Sequence, residues 1–248
     1  MKKLFFLILL LPVMLISCES FPEADFKVDL IDPEVGEAVC FTNRSHNAVE
    51  YEWDFGDGCI SYERNPVHVF TGTGSFEVLL KAYSVSGNSD VASIIIDVMV
   101  PTLLEIEVRE YYDDYIVPYA SVRLYPTLPD WEYETNMETE GFTDKYGTVV
   151  FSHLDPYVYY LDIWERNHDN YDIKDYDIGL IRTPEVIPHK INRFIAYVDY
   201  FGGAKGERTR DRSYVIRKLE RKPSHILVPA LPTDENWEEL YRKSIRVK

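Results

Sequence analysis

The chain has 248 residues and a formal net charge of −16. So acidic a molecule opposes the approach of phosphate backbones, which excludes nucleic acid as a partner. With 46% hydrophobic and 14% aromatic residues, it also lies outside the compositional range of disorder and can fill the cores of two small domains of roughly 100 residues each.

The first element is a leader. Lys2 and Lys3 form a positive start, and Leu4 to Ile16 are apolar apart from Pro12. That run is too short for a bilayer core, which needs roughly 20 apolar residues. It stops at Leu15-Ile16-Ser17-Cys18, which resembles the lipobox of bacterial lipoproteins, where a small residue precedes the cysteine that is diacylated before cleavage. The resemblance implies residues 1–17 as signal peptide, lipid on Cys18, and residues 18–24 as tether. The other reading is an ordinary signal peptide cut near Ser17, with Cys18 an incidental thiol. Two or three acyl chains make a stable membrane attachment, so the expected location is the bacterial cell envelope, with the outer membrane or cell surface favoured. Lys2 and Lys3 leave with the leader, so 24 basic side chains face 42 acidic ones in the mature chain, a net charge of −18.

From residue 25 strand signals dominate. Period-2 alternation runs through 38–42, 75–83 and 92–98, punctuated by turn residues at Asp32-Pro33, Gly56-Asp57-Gly58, Asn65-Pro66, Gly72-Thr73-Gly74 and Ser86-Gly87-Asn88. Short strands so spaced predict an all-β sandwich rather than a parallel sheet with intervening helices. Tyr51-Glu52-Trp53-Asp54-Phe55-Gly56-Asp57-Gly58 is the most specific motif, followed by Asn65-Pro66-Val67-His68-Val69-Phe70, Gly74 to Leu80 and Ser86-Gly87-Asn88-Ser89. Through these the segment 25–100 resembles a PKD (polycystic kidney disease) domain, an immunoglobulin-like sandwich. Trp53 and Phe55 alternate with polar neighbours and are expected inside; Gly56 and Gly58 permit the tight turn.

Two cysteines remain. Cys40 points outward from its strand, so it pairs with Cys59 only if the two meet on the outside of the sandwich; a disulfide and two free thiols both stay open. Two isolated cysteines lack the paired spacing of structural zinc sites. As in some relatives of PKD domains, Asp54, Asp57 and Glu63 offer hard oxygen ligands for Ca²⁺. The alternative is that Asp57 shapes the turn by accepting from nearby backbone amides. His68 is expected to serve strand pairing.

After the short junction Val100-Pro101-Thr102, residues 102–222 predict a second sandwich with an added hairpin. Thr143-Asp144-Lys145-Tyr146-Gly147, the apolar strand ending at Phe151-Ser152-His153-Leu154, and Pro156-Tyr157-Val158-Tyr159 resemble the transthyretin-like, carboxypeptidase regulatory or Cna-B type of β-sandwich. That resemblance implies a spacer, scaffold or substrate-binding accessory without catalysis. Tyr111, Tyr112, Tyr115 and Trp131 fall in expected loops; either they fill the sandwich ends, or they stack on glycan or anchor a protein interface. A return strand over 213–219 is expected against 193–201. In the tail, 223–248, Thr233, Asp234 and Glu235 open a short helix with Trp237, Leu240 and Tyr241 on one face.

Nucleophile elbows, paired metal-binding histidines, phosphate loops and dinucleotide fingerprints do not occur. The expected class is therefore tandem immunoglobulin-like β-sandwiches with a short C-terminal helix, non-catalytic and without a cofactor. The expected function is a lipid-anchored binding or spacer module recognising glycan or an envelope protein. Its rivals are an accessory subunit of a polysaccharide-utilisation or envelope enzyme system and a structural component of a surface assembly.

Overall fold

The structure, a computed structural model, describes residues 21–175, 177–200 and 236–247. The leader with Cys18, the expected return strand and the Thr233 cap lie outside these. The chain forms two compact units, one from residues 21–31, 38–69 and 75–97, the other from 32–37, 70–74 and 98 onward.

The first unit is built from β1 (Phe26–Val28), β2 (Ala38–Asn43), β3 (Glu50–Asp54), β4 (Ile60–Ser61), β5 (Val67–Val69), β6 (Gly74–Tyr83) and β7 (Ser89–Val98). They make two sheets, ordered β1-β2-β5 and β4-β3-β6-β7. Strict alternation in β2 buries Val39 and Phe41 and exposes Cys40. Register then matters, because a slip of one residue would turn these aromatic and β-branched chains outward. The core is aromatic at its centre: Trp53 is fully buried, with its ring centroid 5.0 Å from Phe26 and 5.5 Å from Phe41, and Phe41 lies 5.4 Å from Phe55. The indole N–H is satisfied by the Glu63 carbonyl at 2.9 Å, as a buried donor must be.

In the second unit the strands are β8 (Leu103–Glu110), β9 (Ser121–Tyr125), β10 (Thr139–Phe142), β11 (Thr148–Ser152), β12 (Tyr160–Glu165), β13 (His168–Asp169), β14 (Ile191–Tyr200) and β15 (Ile245–Arg246), with helices α1 (Leu128–Tyr133) and α2 (Trp237–Lys243). They join in one run, β10-β9-β12-β13-β14-β8-β11-β15. Residues from both halves of this run, including Ile106, Val122, Phe151, Leu161 and Val198, share one buried cluster. The sheet thus wraps its own core as the two layers of a sandwich. Two of the pairings are parallel: β14 runs parallel to β8, Ile191 opposite Leu103, and β15 runs parallel to β11. Strands of the opposite layer make the long crossover that helices supply elsewhere.

The Thr143–Gly147 turn forms as expected. Asp144 Oδ1 accepts from the N–H groups of Tyr146 and Thr148 at 2.8 and 3.1 Å, and Gly147 takes φ +73° where a Cβ would meet the Val108 carbonyl at 3.2 Å. Helix α2 places Leu240 against Leu103, Val150 and Ile191, with Trp237 and Tyr241 packed on the same cluster. No helix among the described residues is long and apolar enough to cross a membrane.

Candidate functional site

Of the aromatic residues after β8, Tyr111 and Trp131 are interior, while Tyr115, Tyr119 and Tyr133 are exposed. Trp131 is 0% exposed and Tyr111 8%, and both belong to a second buried cluster with Tyr125, Ile173, Leu180 and Ile181, against which Tyr112 packs. The expectation that Trp131 lies in an exposed loop is corrected: Thr127 caps α1 by accepting from the Asp130 N–H at 3.2 Å, and Pro129 sits in the first turn, where proline favours a helix start. The indole N–H donates to the Leu161 carbonyl at 2.7 Å, the ring stacks on Tyr171 at 5.4 Å, and the Lys174 ammonium lies 5.0 Å above it. Glu110 is buried and its carboxylate accepts from the N–H groups of Tyr112 and Asp113, which shapes the turn carrying Tyr111 and Tyr112.

Of the four expected ligand-binding rings only Tyr115 presents much surface, 42%. Its hydroxyl lies 2.7 Å from His168 Nε2, whose Nδ1 lies 2.8 Å from Glu165 Oε2. Burial, then the charges of Glu110 and Asp113, raise the Tyr115 hydroxyl above its ordinary range, so it remains a neutral, hydrogen-bonded phenol at neutral pH.

Aromatic rings beside charged groups also gather on the first unit. Tyr51, Tyr62 and Tyr83 line an open groove of about 770 Å³ together with Ala48, Val49, Glu50, Glu52 and Arg64. Tyr62 is 68% exposed. The Tyr83 hydroxyl donates to Glu52 at 2.9 Å, and Lys81 lies 5.0 Å over the Tyr83 ring. Rings beside carboxylates and a guanidinium combine flat apolar faces with hydrogen-bonding groups. Sequence reading missed this groove because its residues come from three separated segments; the exposed Tyr62 beside Arg64, just past β4, was the available signal.

The third assembly is the WDFGDG turn. Gly56 and Gly58 take φ +76° and +89°, and Asp54 Oδ1 accepts from the Gly56 N–H at 2.9 Å. Asp57 Oδ1 accepts from the Cys59 N–H at 2.9 Å, and its Oδ2 accepts from His68 Nε2 at 2.7 Å. His68 does pair within its sheet, opposite Val39, and its ring also stacks flat on buried Phe55, centroids 4.0 Å apart and planes 4° from parallel. Burial pushes the Asp57 carboxyl upward, but the hydrogen bonds from His68 and the Cys59 N–H outweigh it and hold the group below the usual carboxylate range.

The expected oxygen set is corrected here. Asp57 gathers with Cys59 and His68, their ligand atoms all within 4.8 Å of one another, and not with Asp54 and Glu63. A thiol and an imidazole are poor partners for Ca²⁺, which takes oxygen. Of the two readings left open for the remaining cysteines the structure shows free thiols: Cys40 and Cys59 are both unbridged and exposed. Hydrogen bonding to Asp29 raises the Cys40 thiol above its ordinary value, and the Asp57 charge raises that of Cys59.

The sequence profile of the PKD domain matches residues 22–100. The PKD1 domain of Vibrio anguillarum Epp is similar at 30% identity, over 33% of this chain and 98% of that one, with a TM-score of 0.30. The PKD1 domain from the Vibrio cholerae metalloprotease PrtV is similar at 34% identity, over 32% and 98%, with a TM-score of 0.29. Across a longer span, BcpA, the major pilin subunit of Bacillus cereus, is similar at 10% identity, over 72% of this chain and 70% of that one, with a TM-score of 0.38. Residues 22–100 are thus the part of the chain that matches the PKD domain family.

Proposed function

We propose that the chain is a non-catalytic binding and spacer module of the bacterial cell envelope, tethered by lipid on Cys18 and meeting an extended ligand on its PKD domain. The observation that carries the binding half is the open groove of Tyr51, Tyr62 and Tyr83 with Glu50, Glu52 and Arg64. Sugars stack on tyrosine faces while carboxylates and a guanidinium bond their hydroxyls, so a polysaccharide is the ligand class favoured. Supporting the spacer half are two packed β units and an acidic composition that keeps the surface hydrated.

Glycan arrays with the mature chain, set against a variant carrying Tyr62→Ala and Arg64→Ala, test the reading. Both residues are surface groups on the groove, so the variant keeps its fold. Glycan signals of the wild type should fall at least tenfold. Equal signals in the two proteins would move binding away from the groove. No signal in either, with the lipoprotein still required for an envelope structure, would leave the spacer half alone.

A further inference from the structure

We propose that Asp57, Cys59 and His68 form a binding site for a thiophilic divalent cation, zinc in the first place. Three donors of different chemistry, a carboxylate oxygen, a thiol sulfur and an imidazole nitrogen, converge within 4.8 Å. Four-coordinate zinc with bonds of about 2.0 to 2.3 Å needs ligand atoms about 3.5 Å apart, so the separations here, from 2.7 Å between Asp57 and His68 upward, bracket the required value. Shifts of about an ångström at each side chain would seat the ion.

The surroundings hold the donors in place. The side chains of Asp57 and His68 are only 15% and 13% exposed. Phe55 fixes the plane of the imidazole from below, and the Cys59 N–H fixes the second carboxylate oxygen. Such outer contacts orient ligands before the ion arrives. Cys59 is exposed, which gives the ion a path from solvent and leaves the fourth position to water. Zinc takes the Cys59 sulfur as thiolate, the thiol proton going to solvent, and replaces the hydrogen on His68 Nε2, which moves to Nδ1, so that one proton is released for each ion bound. The site crosses from the β3–β4 turn to β5 of the other sheet, so the ion would staple the two sheets of the PKD domain.

Cobalt(II) serves as the optical probe, titrated into the chelator-stripped full chain. The wild type should take up one equivalent with a thiolate-to-cobalt charge-transfer band that zinc abolishes. Cys59→Ser should lose the band, Asp57→Asn and His68→Gln should bind at least tenfold more weakly, and Cys40→Ser should match the wild type. In a measurement that needs no variant, zinc should slow alkylation of Cys59 at least tenfold while leaving Cys40 unchanged. A wild type without the band, a band that follows Cys40, or equal alkylation of Cys59 with and without zinc overturns the proposal and leaves Asp57 and His68 as a hydrogen-bonded pair.

Discussion

Oε2 of Glu34 lies 2.9 Å from Nδ1 of His153, while Oε1 of the same carboxylate accepts from the N–H and the hydroxyl of Thr102 at 2.9 and 2.5 Å. His153 in turn reaches the Tyr241 hydroxyl through Nε2 at 3.1 Å, and that hydroxyl donates to the Val35 carbonyl at 3.0 Å. One carboxylate therefore gathers four parts of the second unit: residues 32–37, the start of β8, the end of β11 and helix α2.

The pH dependence follows in sign. Burial opposes the Glu34 charge, but His153 and Thr102 outweigh it and hold the carboxyl below its ordinary value of 4.5. A group lowered on folding contributes stability that is complete above the unfolded value and is lost as pH falls through the folded one. Glu34→Gln should cost the second unit about 1 to 3 kcal/mol at pH 7, with the gap from wild type shrinking below pH 4.5. Urea midpoints across that range decide it; a gap constant to the acid side of the transition would show that the carboxylate charge is not what binds these parts.

Trp53→Ala should unfold the PKD domain, since truncating a buried aromatic costs about 3 to 5 kcal/mol, a large share of a small domain's stability. Loss of the near-ultraviolet signal of Trp53's neighbours in denaturant titrations would register it. An unchanged midpoint contradicts the burial.

Trp131→Ala is expected to act on stability and not on binding. It removes a filled volume and one of the two donors to the Leu161 carbonyl, the Asn170 amide being the other, a loss of about 3 to 5 kcal/mol. Thermal unfolding and glycan arrays on the same variant separate the two roles; a stable protein that had lost its ligand would restore the platform reading.

Gly56→Ala should destabilise the WDFGDG turn by about 1 to 3 kcal/mol. The residue sits at φ +76°, and a Cβ would lie 2.7 Å from the Glu77 carbonyl oxygen, a backbone atom that cannot step aside. Gly58→Ala, with a similar φ but open space around it, should cost less, and comparing the two midpoints isolates the contact from the dihedral.

Lipid on Cys18 predicts palmitate labelling of the wild type and none of Cys18→Ala, with the variant released from the membrane fraction. A variant that stays labelled and membrane-bound would place the anchor elsewhere.

Alternation along a strand made much of the first unit legible: Trp53, Phe55 and Phe41 inside and Cys40 outside all follow from period 2. The meeting of His68 with Asp57 was not, because it depends on how two sheets face each other, and spacing within a strand carries no information about the opposite layer. The loop expected around Trp131 overlooked that Thr127 with Pro129 two positions on is a helix start, and the helix turns the tryptophan inward. The parallel partnership of β8 and β14 was hidden for a third reason: nothing local chooses a partner so distant in the chain.

That partnership sets the order in which the molecule can be completed. Arg193 and Glu105, paired across β14 and β8 at 2.7 Å, stand 88 positions apart in sequence, and β15 must still travel back to Phe151. Closing loops of that length is entropically slow before any contact repays it. The second unit should therefore fold on a slower clock than the PKD domain, in milliseconds to seconds or longer, and during that interval β8 has an open edge towards any neighbouring chain.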